Sequence, residues 1–334
     1  MKRRWLALGA ALIVLLSSAV PVYWLAQLRP LDPGAEVRLF TVESGASLSR
    51  VTLDLERAGL IRNAKVAAWL ARLRGLAGRV QAGEYDLSAC WSTPRILDWI
   101  SEGHVKTYEA VLPEGLRASE IAQRLEELGL VDAAAFLAVV HDQAFIHSLG
   151  IESQSLEGYL FPETYRMTRQ ITPQQIAATL VEQFRNVWSE IEPAARERGV
   201  SMHEVVTLAS IVEKETRDRA ERPLIAAVFL NRLRRGMRLE TDPTVIYGIP
   251  DFDGNLRKRH LLDEGNLYNT YRFPGLPPGP IGNPGADALH AVVEPAQSDY
   301  LYFVSRNDGT HQFSQTYREH VNAVNRYQKR RRSR

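Results

Sequence analysis

The amino-acid sequence predicts an α+β fold with an N-terminal transmembrane helix, a small α+β module and a mainly helical domain that ends in a short β-hairpin. Three observations predict this organisation. One charge-free apolar run lies near the N-terminus, strand and helix patterns alternate over roughly the next 80 residues, and apolar residues at helical spacing dominate the remainder. A chain of 334 residues is long enough for two or three domains with cores of their own.

The transmembrane helix is predicted at residues 5–26, which carry no charged side chain. A helix of this length, at about 1.5 Å per residue, spans the roughly 30 Å hydrocarbon core of a bilayer. Lys2, Arg3 and Arg4 precede the run, so the positive-inside rule predicts that residues 1–4 are cytoplasmic and that the chain is exported after the span. The alternative is a cleavable signal peptide with its cleavage site at Ser17–Ala19, which would also export the rest of the chain.

A linker with two prolines and a glycine, residues 27–35, precedes the small α+β module, which is predicted at residues 36–105. Gly59 stops one helix of the module, Asn63 opens the next, and Pro94 lies in the first turn of a third. The predicted elements are a strand at Arg38–Val42, helices at Leu48–Ala58 and Asn63–Leu73, a strand at Gly83–Leu87 and a helix at Thr93–Ile100.

The mainly helical domain is predicted at residues 106–328, followed by a basic tail at residues 329–334. It opens with a strand at Thr107–Leu112, contains a long glycine- and proline-rich loop at residues 250–284, and carries a hairpin that turns at Asn307–Gly309. Its predicted helices are Ser119–Leu128, Thr172–Trp188, Ser201–Thr216, Arg222–Arg235, a short turn from Asp242, Ala286–Val293 and Tyr317–Gln328.

Charge and cysteine content exclude several classes of protein. The net charge is +2, but the eight basic residues of the two chain ends hide a net charge of −6 over residues 5–328, so no nucleic-acid partner is expected. Cys90 is the only cysteine, which excludes an intramolecular disulfide and a cysteine-based metal cluster. His203–Thr207 begins like a zinc-protease helix but has threonine where the second histidine ligand belongs. No metal and no cofactor are therefore expected.

One segment, Val205–Thr216, places a carboxyl group on an apolar helical stripe. At about 100° per residue from Leu208, the apolar side chains fall between about −60° and +100°, and Glu215 falls at about −20°, inside the stripe. Glu213 lies at the edge of the stripe, and Ser210 lies away from it. Burial raises the pKa of a carboxyl group, as the proton donor of a general acid mechanism requires.

The alternative is that this helix ends near Lys214. Glu215 would then be a solvated carboxylate, paired with Arg217 or Arg219. Helical spacing by itself does not decide between these interpretations.

Five motifs follow one another along the chain. They are EGYLFPETY (Glu157–Tyr165), LASIVEKET (Leu208–Thr216), AAVFLNRLRRGMRLETDPTVIYG (Ala226–Gly248), YNTYRFPGLPPGPIGNPGADAL (Tyr268–Leu289) and YLYFV (Tyr300–Val304) with the later HQFS. In this order, and with a single N-terminal span, they resemble the YceG-like family of endolytic murein transglycosylases, membrane-anchored enzymes that cut nascent peptidoglycan strands.

The resemblance implies that Glu215, the second glutamate of the EKE tripeptide, is the catalytic residue. It also implies a LysM-like glycan-binding module at residues 36–105 and a YceG-like catalytic domain at residues 106–328. The implied location is the bacterial inner membrane, with a single span and the catalytic body in the periplasm. Implied partners are peptidoglycan glycan strands and peptidoglycan synthases. Six further residues of the matched motifs have side chains able to bind sugar: Glu157, Glu213, Thr241, Asp242, Tyr247 and Asn269.

The reaction implied by the resemblance is cleavage of the β-1,4 bond between N-acetylmuramic acid and N-acetylglucosamine, with formation of a 1,6-anhydro end. Glu215 would act first as general acid and then as general base. One departure is Glu240, where some members have glutamine. Two rival functions stay open, a lysozyme-like hydrolase that uses water and a second carboxylate, and a non-catalytic glycan-binding scaffold.

Overall fold

The structure is a computed structural model, and it describes residues 21–216 and 218–329. The chain folds into two compact units. The first comprises the chain up to Tyr108 together with Arg166–Gln170, and the second comprises Glu109–Tyr165 and the chain from Ile171 onward. Every sheet among the described residues has two strands.

The first unit packs three helices on a two-stranded antiparallel sheet. Strands β1 (Val37–Val42) and β2 (Gly83–Ser88) pair with Phe40 opposite Tyr85. The helices are α1 (Leu48–Arg57), α2 (Ala64–Leu73) and α3 (Thr93–Ser101). All five elements agree with the sequence prediction to within one residue at either end.

Local sequence explains where these helices begin. The side chain of Ser47 accepts a hydrogen bond from the Arg50 amide, and that of Asn63 accepts one from the Val66 amide, so each satisfies a free N–H group of the first turn. Leu55 and Ile96 are fully buried with Tyr85 in the core. The unit therefore has a hydrophobic core of its own, while the assignment of residues 36–105 as a LysM-like module stays a prediction.

The strands β3 (Tyr108–Val111) and β4 (Thr164–Met167) form the next sheet. The helices of the second unit are α4 (Ala118–Glu127), α5 (Ala133–Val140), α6 (Gln143–Ser148), α7 (Pro173–Arg198), α8 (Met202–Glu215), α9 (Arg222–Arg234), α10 (Asp242–Tyr247), α11 (Lys258–Leu261), α12 (Ala286–Val293) and α13 (Tyr317–Val324). A 3₁₀ turn at Arg219–Glu221 precedes α9, and a π-helical turn at Asn325–Lys329 follows α13.

Helix α8 is the central helix of the second unit. It begins with a reciprocal capping box, in which the Ser201 side chain accepts from the Glu204 amide and the Glu204 carboxylate accepts from the Ser201 amide. Helices α7, α9, α10 and α12 all pack against it, and every residue from Val205 to Val212 is buried. The predicted one-sided apolar stripe is therefore wrong, because neighbouring helices cover all faces of this segment.

A hairpin lies near the C-terminal end of the unit. Strands β5 (Tyr302–Ser305) and β6 (His311–Ser314) pair antiparallel, with Phe303 opposite Phe313. Asn307 and Gly309 have positive φ angles of 66° and 95° in the connecting turn, where left-handed backbone is required. The predicted hairpin and its turn residues are confirmed.

Several elements differ from the prediction, since strand β4 and helices α5, α6 and α11 were not predicted and helix α7 is longer than predicted. Helix α7 continues past Trp188 and through Pro193, because buried Ile191 and Ala195 keep it packed until Gly199 ends it in left-handed conformation. Helix α5 has the sequence AAAFLAVV, which is apolar at every position and shows no helical period, so no helix was predicted there. Helix α6 has only six residues.

The predicted fold class is corrected at the N-terminus. No helix within residues 21–216 and 218–329 is both long enough and apolar enough to cross a bilayer. Most of the predicted span, residues 5–20, lies outside the described residues, as do residues 1–4, Arg217 and residues 330–334 of the basic tail. Residues 21–27 are helical. The described residues form an α+β fold with a mainly helical second unit.

Candidate active site

Glu215 is the last residue of α8, and its side chain is half-buried. Oε1 of its carboxyl group accepts a hydrogen bond from the hydroxyl of Thr241. The alternative of a solvated carboxylate beyond the helix end is not what the structure shows. Arg219 pairs instead with Glu114 at 3.3 Å and with Asp287 at 3.2 Å.

The surroundings of Glu215 raise the pKa of its carboxyl group. Burial is the largest cause, and the nearby Asp242 carboxylate acts in the same direction. The hydrogen bond from Thr241 and the nearby His311 and Arg232 side chains act in the opposite direction and lower the pKa of Glu215. Glu215 therefore keeps its proton to a higher pH than an exposed glutamate does.

Two clefts meet at Glu215. The first, the aromatic cleft, has a volume of about 380 Å³, and its walls include Asp242, Tyr271, Tyr302 and His320. The second, the charged cleft, has a volume of about 600 Å³ and is lined by Glu114, Glu213, Lys214, Arg219 and Arg222 among others. Glu215 is the one described residue that lines both clefts.

Arg232 of α9 lines the aromatic cleft. Its guanidinium is largely buried and donates to the carbonyl oxygens of Leu301 and Leu239, each at 2.7 Å. The same group lies 5.3 Å from the ring centre of Tyr302. These contacts hold a cation near Glu215.

The walls of the aromatic cleft come from separate segments. The Tyr271 hydroxyl donates to Asp242 at 2.7 Å, and the His320 ring stacks on Tyr302 with ring centres 5.2 Å apart. Aromatic faces beside carboxylates and hydroxyls are suited to a sugar, which presents apolar C–H faces and a polar rim.

A buried ion pair is part of the lining of the charged cleft. Arg222, which is 3% exposed, donates to Glu213 at 2.5 Å and to Glu114 at 3.0 Å. Glu213 also accepts from the Gly285 amide at 3.1 Å. Burial raises the pKa of Glu213, and the charge of Arg222 opposes that rise. Glu213 thus joins the end of α8 to α9 and to the start of α12.

Glu157 and Tyr247, two predicted sugar-binding residues, line neither cleft. The Glu157 carboxylate accepts from the Ala118 amide at 3.0 Å, from the Asn283 side chain at 3.1 Å and from the Tyr247 hydroxyl at 3.2 Å. Burial raises the pKa of Glu157 to about 7. The Glu157 and Tyr247 side chains thus form hydrogen bonds within the protein, near the start of α4.

Asn269 lies in the protein interior and also lines neither cleft. Its side-chain amide donates to the carbonyl oxygens of His260, Leu261 and Asp263, the last at 2.7 Å. Its side-chain oxygen accepts from the Tyr271 amide at 3.1 Å. Asn269 therefore shapes the loop that presents Tyr271. Of the six predicted sugar-binding residues, the structure places Glu213, Thr241 and Asp242 at the clefts.

A protein-family model described as the YceG-like family matches residues 40–326 of the chain. The chain belongs to this family. The match covers both clefts and every candidate site residue named above.

Individual relatives agree with the family assignment. A protein of Bacillus subtilis named endolytic murein transglycosylase is 29% identical over 92% of this chain and 89% of its own length. A protein of the same name from Streptococcus pneumoniae is 29% identical over 85% of this chain, which spans only 57% of that longer protein. The chain also resembles the crystal structure of a YceG-like protein from Listeria monocytogenes, with a TM-score of 0.60 and 31% sequence identity. This similarity covers 86% of this chain and 98% of the Listeria chain.

Sequence reasoning missed several residues at the clefts. Arg232, Tyr271 and Tyr302 lie within the matched YceG-like motifs, but nothing in their spacing distinguishes them from packing residues. Glu114 and His320 lie outside those motifs. Within the described residues, no group of three or more His, Cys, Asp or Glu side chains is arranged to hold a metal ion.

Proposed function

We propose that this chain is an endolytic murein transglycosylase in which Glu215 is the catalytic residue. The relatives from Bacillus subtilis and Streptococcus pneumoniae bear that name, and the chain shares their family. Because murein is a polymer of the cell wall, the activity implies that the protein acts outside the cytoplasm. Association with peptidoglycan synthases stays a prediction of the family resemblance.

One observation supports Glu215 more than any other: its half-buried side chain lines both clefts. An endolytic enzyme binds glycan on both sides of the bond that it cuts, so its acid must face two binding regions. Burial raises the pKa of Glu215, which keeps a proton available for the glycosidic oxygen.

The proposed reaction needs one carboxyl group in two protonation states. Protonated Glu215 donates its proton to the glycosidic oxygen while the bond between that oxygen and C1 of the muramoyl residue breaks. The C6 hydroxyl of the same sugar then forms a bond to C1, and its proton returns to the Glu215 carboxylate. Because the nucleophile belongs to the substrate, no second carboxylate and no water are consumed.

A hydrolase is the second candidate, and one observation favours it. Asp242 lines the aromatic cleft together with Glu215, so a second carboxylate is available to activate water or to stabilise positive charge on the sugar. The two reactions differ in their products, since an anhydro end weighs one water less than a hydrolysed end.

The deciding experiment is digestion of un-crosslinked glycan strands by the wild type and by Glu215→Gln, with product masses read by mass spectrometry. We expect the wild type to release 1,6-anhydro ends and Glu215→Gln to lose at least about 100-fold in rate, as expected when a general acid is removed. Glu182→Gln, an exposed glutamate of α7, is the matched control and should behave like the wild type.

Three outcomes would contradict the proposal. Full activity of Glu215→Gln would exclude Glu215 as the acid. Reducing ends without anhydro products would favour the hydrolase. Binding of glycan without cleavage by the wild type would favour a non-catalytic scaffold.

A further inference from the structure

The hydroxyl of Thr241 forms a hydrogen bond with Oε1 of Glu215. We propose that Thr241 is a positioning residue, whose donated hydrogen bond occupies Oε1 and so assigns the transferable proton of Glu215 to Oε2. This inference rests on the proposed function, because it requires Glu215 to be the acid of the reaction.

Thr241 occupies a position where its hydroxyl would ordinarily serve the fold. It is the N-cap residue of α10, and a threonine hydroxyl there usually accepts from an amide of the first turn. No such bond is formed, and the hydroxyl is directed to Glu215 instead. The helix thus lacks a stabilising cap, while Glu215 has a fixed donor.

The backbone of Thr241 is fixed by two other buried threonines. Its amide donates to the Thr270 hydroxyl at 3.1 Å, and its carbonyl oxygen accepts from the Thr244 hydroxyl at 2.8 Å. The hydroxyls of Thr244 and Thr270 lie 2.8 Å apart, and none of the three residues is more than 3% exposed. These bonds fix the backbone of Thr241 independently of Glu215, and its β-branched side chain has few rotamers, one of which brings the hydroxyl to the Glu215 carboxyl group.

A bond to Oε1 has a different effect in each half of the reaction. In the protonated acid, the carbonyl oxygen is the better acceptor, so a donor at Oε1 leaves the proton on Oε2. In the carboxylate, the same bond stabilises the charge and keeps Oε2 oriented toward the C6 hydroxyl whose proton it must accept. One threonine thus presents the same oxygen for both proton transfers.

Other charged or titratable groups also face Glu215 and stay in place when Thr241 is changed. Arg232, Asp242, Tyr271 and His311 lie close to it, and Glu240, Tyr302, Tyr317 and His320 line the same cleft. A change in the pH dependence of a Thr241 variant therefore reports the lost hydroxyl rather than a new charge.

The test uses the full chain with Thr241→Val, which removes the hydroxyl but keeps the shape. Since the bond favours the ionised form of Glu215, its loss should move the basic limb of the pH–rate profile up by about one pH unit. We also expect kcat to fall by about tenfold or more, while KM changes by less than about twofold, because the misaligned acid affects the chemical step.

Two further variants make the test specific. Thr241→Ser keeps a hydroxyl and should restore the wild-type pH limb and most of kcat. Thr207→Val makes the same change on α8 at a buried hydroxyl that has no hydrogen-bond partner among the described residues, and it should leave both quantities unchanged. If Thr241→Val fails to fold, as judged by circular dichroism, Thr241→Ala removes the same hydroxyl and is measured in its place.

The inference is overturned if the hydroxyl-free variant keeps the wild-type pH limb and kcat. It is also overturned if the limb moves to lower pH, since Thr241 would then accept the proton of the acid instead of donating to it. Both results are distinguishable from failure of the proposed function, which would show as retained activity of Glu215→Gln.

Discussion

Single residues of the second unit show that a polar side chain in a family motif can serve the fold. Glu157 opens the EGYLFPETY motif, yet its hydrogen-bond partners are Ala118, Tyr247 and Asn283. Glu213 similarly binds Arg222 and the Gly285 amide. Burial disfavours the ionised form of such carboxyl groups and so raises their pKa in the folded state. Because the pKa then differs between the folded and unfolded states, their contribution to the free energy of unfolding depends on pH.

Glu157 should make the protein less stable as pH rises from about 4.5 to 7. In this window the folded state, with a Glu157 pKa of about 7, binds more protons than the unfolded state, with a pKa of 4.5. The difference corresponds to about 3 kcal/mol at neutral pH. We expect Glu157→Gln to remove this decline, as measured by urea unfolding at pH 5 and pH 7.5.

Other buried carboxyl groups contribute to the same decline, so the difference between wild type and variant is the quantity that counts. Glu182→Gln, on the surface of α7, should keep the wild-type slope. Equal slopes for the wild type and Glu157→Gln would show that Glu157 is ionised in the folded protein at pH 5.

At the scale of elements, α8 shows why the apolar pattern of a helix does not by itself predict which of its faces are buried. Its apolar residues suggested one buried face, but α7, α9, α10 and α12 surround it. Ser210, which the helical wheel places on the solvent side, is buried, donates to the Thr207 carbonyl at 2.7 Å and accepts from the Ile281 amide at 3.0 Å. A wheel locates residues around one helix and has no information about the number of its neighbours.

The buried hydroxyls of Thr207 and Ser210 on α8 should differ in their effect on stability. Thr207→Val replaces a hydroxyl without a partner in the described structure, so the variant should be as stable as the wild type or more stable by about 1 kcal/mol. Ser210→Ala removes two hydrogen bonds and leaves the Ile281 amide unsatisfied, which should cost about 1–3 kcal/mol. Urea unfolding of both variants measures the contrast, and an equal loss in the two would contradict it.

At the scale of the whole molecule, residues that are distant in sequence meet in the interior of the second unit. In the second unit, the Asn283 side-chain oxygen accepts from the Gly158 and Leu160 amides, each at 2.9 Å. Its side-chain amide donates to the Leu116 carbonyl at 2.8 Å and to Glu157 at 3.1 Å. One fully buried residue thus joins the proline-rich loop to the segments before α4 and after α6.

Asn283→Ala should therefore destabilise the second unit strongly. The Gly158 and Leu160 amides would lose their acceptor, and the Glu157 carboxyl group would lose one donor, while the Leu116 carbonyl would keep its bond from the residue 283 backbone amide. We expect a loss of about 3 kcal/mol or more in the free energy of unfolding. Asn255→Ala, at an exposed asparagine before α11, is the control and should change stability by less than about 0.5 kcal/mol. A loss below about 1 kcal/mol for Asn283→Ala would mean that water replaces its hydrogen bonds.

Much of the secondary structure could be predicted because its signals are local. Caps such as Ser47 and Asn63, and the turn at Asn307–Gly309, depend only on neighbouring residues. Helix α7 was predicted too short, because tertiary packing outweighs the proline signal. Among the residues that line the clefts, Glu215 and Thr241 were predicted because they belong to the family motifs. His320 and Glu114 were not predicted, because they lie in segments without such a motif.

By itself the sequence determined the α+β composition, the family and the candidate acid, since these depend on local patterns and on the order of motifs. Only the tertiary structure decided which polar residues reach the clefts. It directs Thr241 to Glu215 and directs Glu157 and Asn269 into the protein interior. The physical reason is that a buried polar group must find a hydrogen-bond partner, and that partner usually lies far away along the chain.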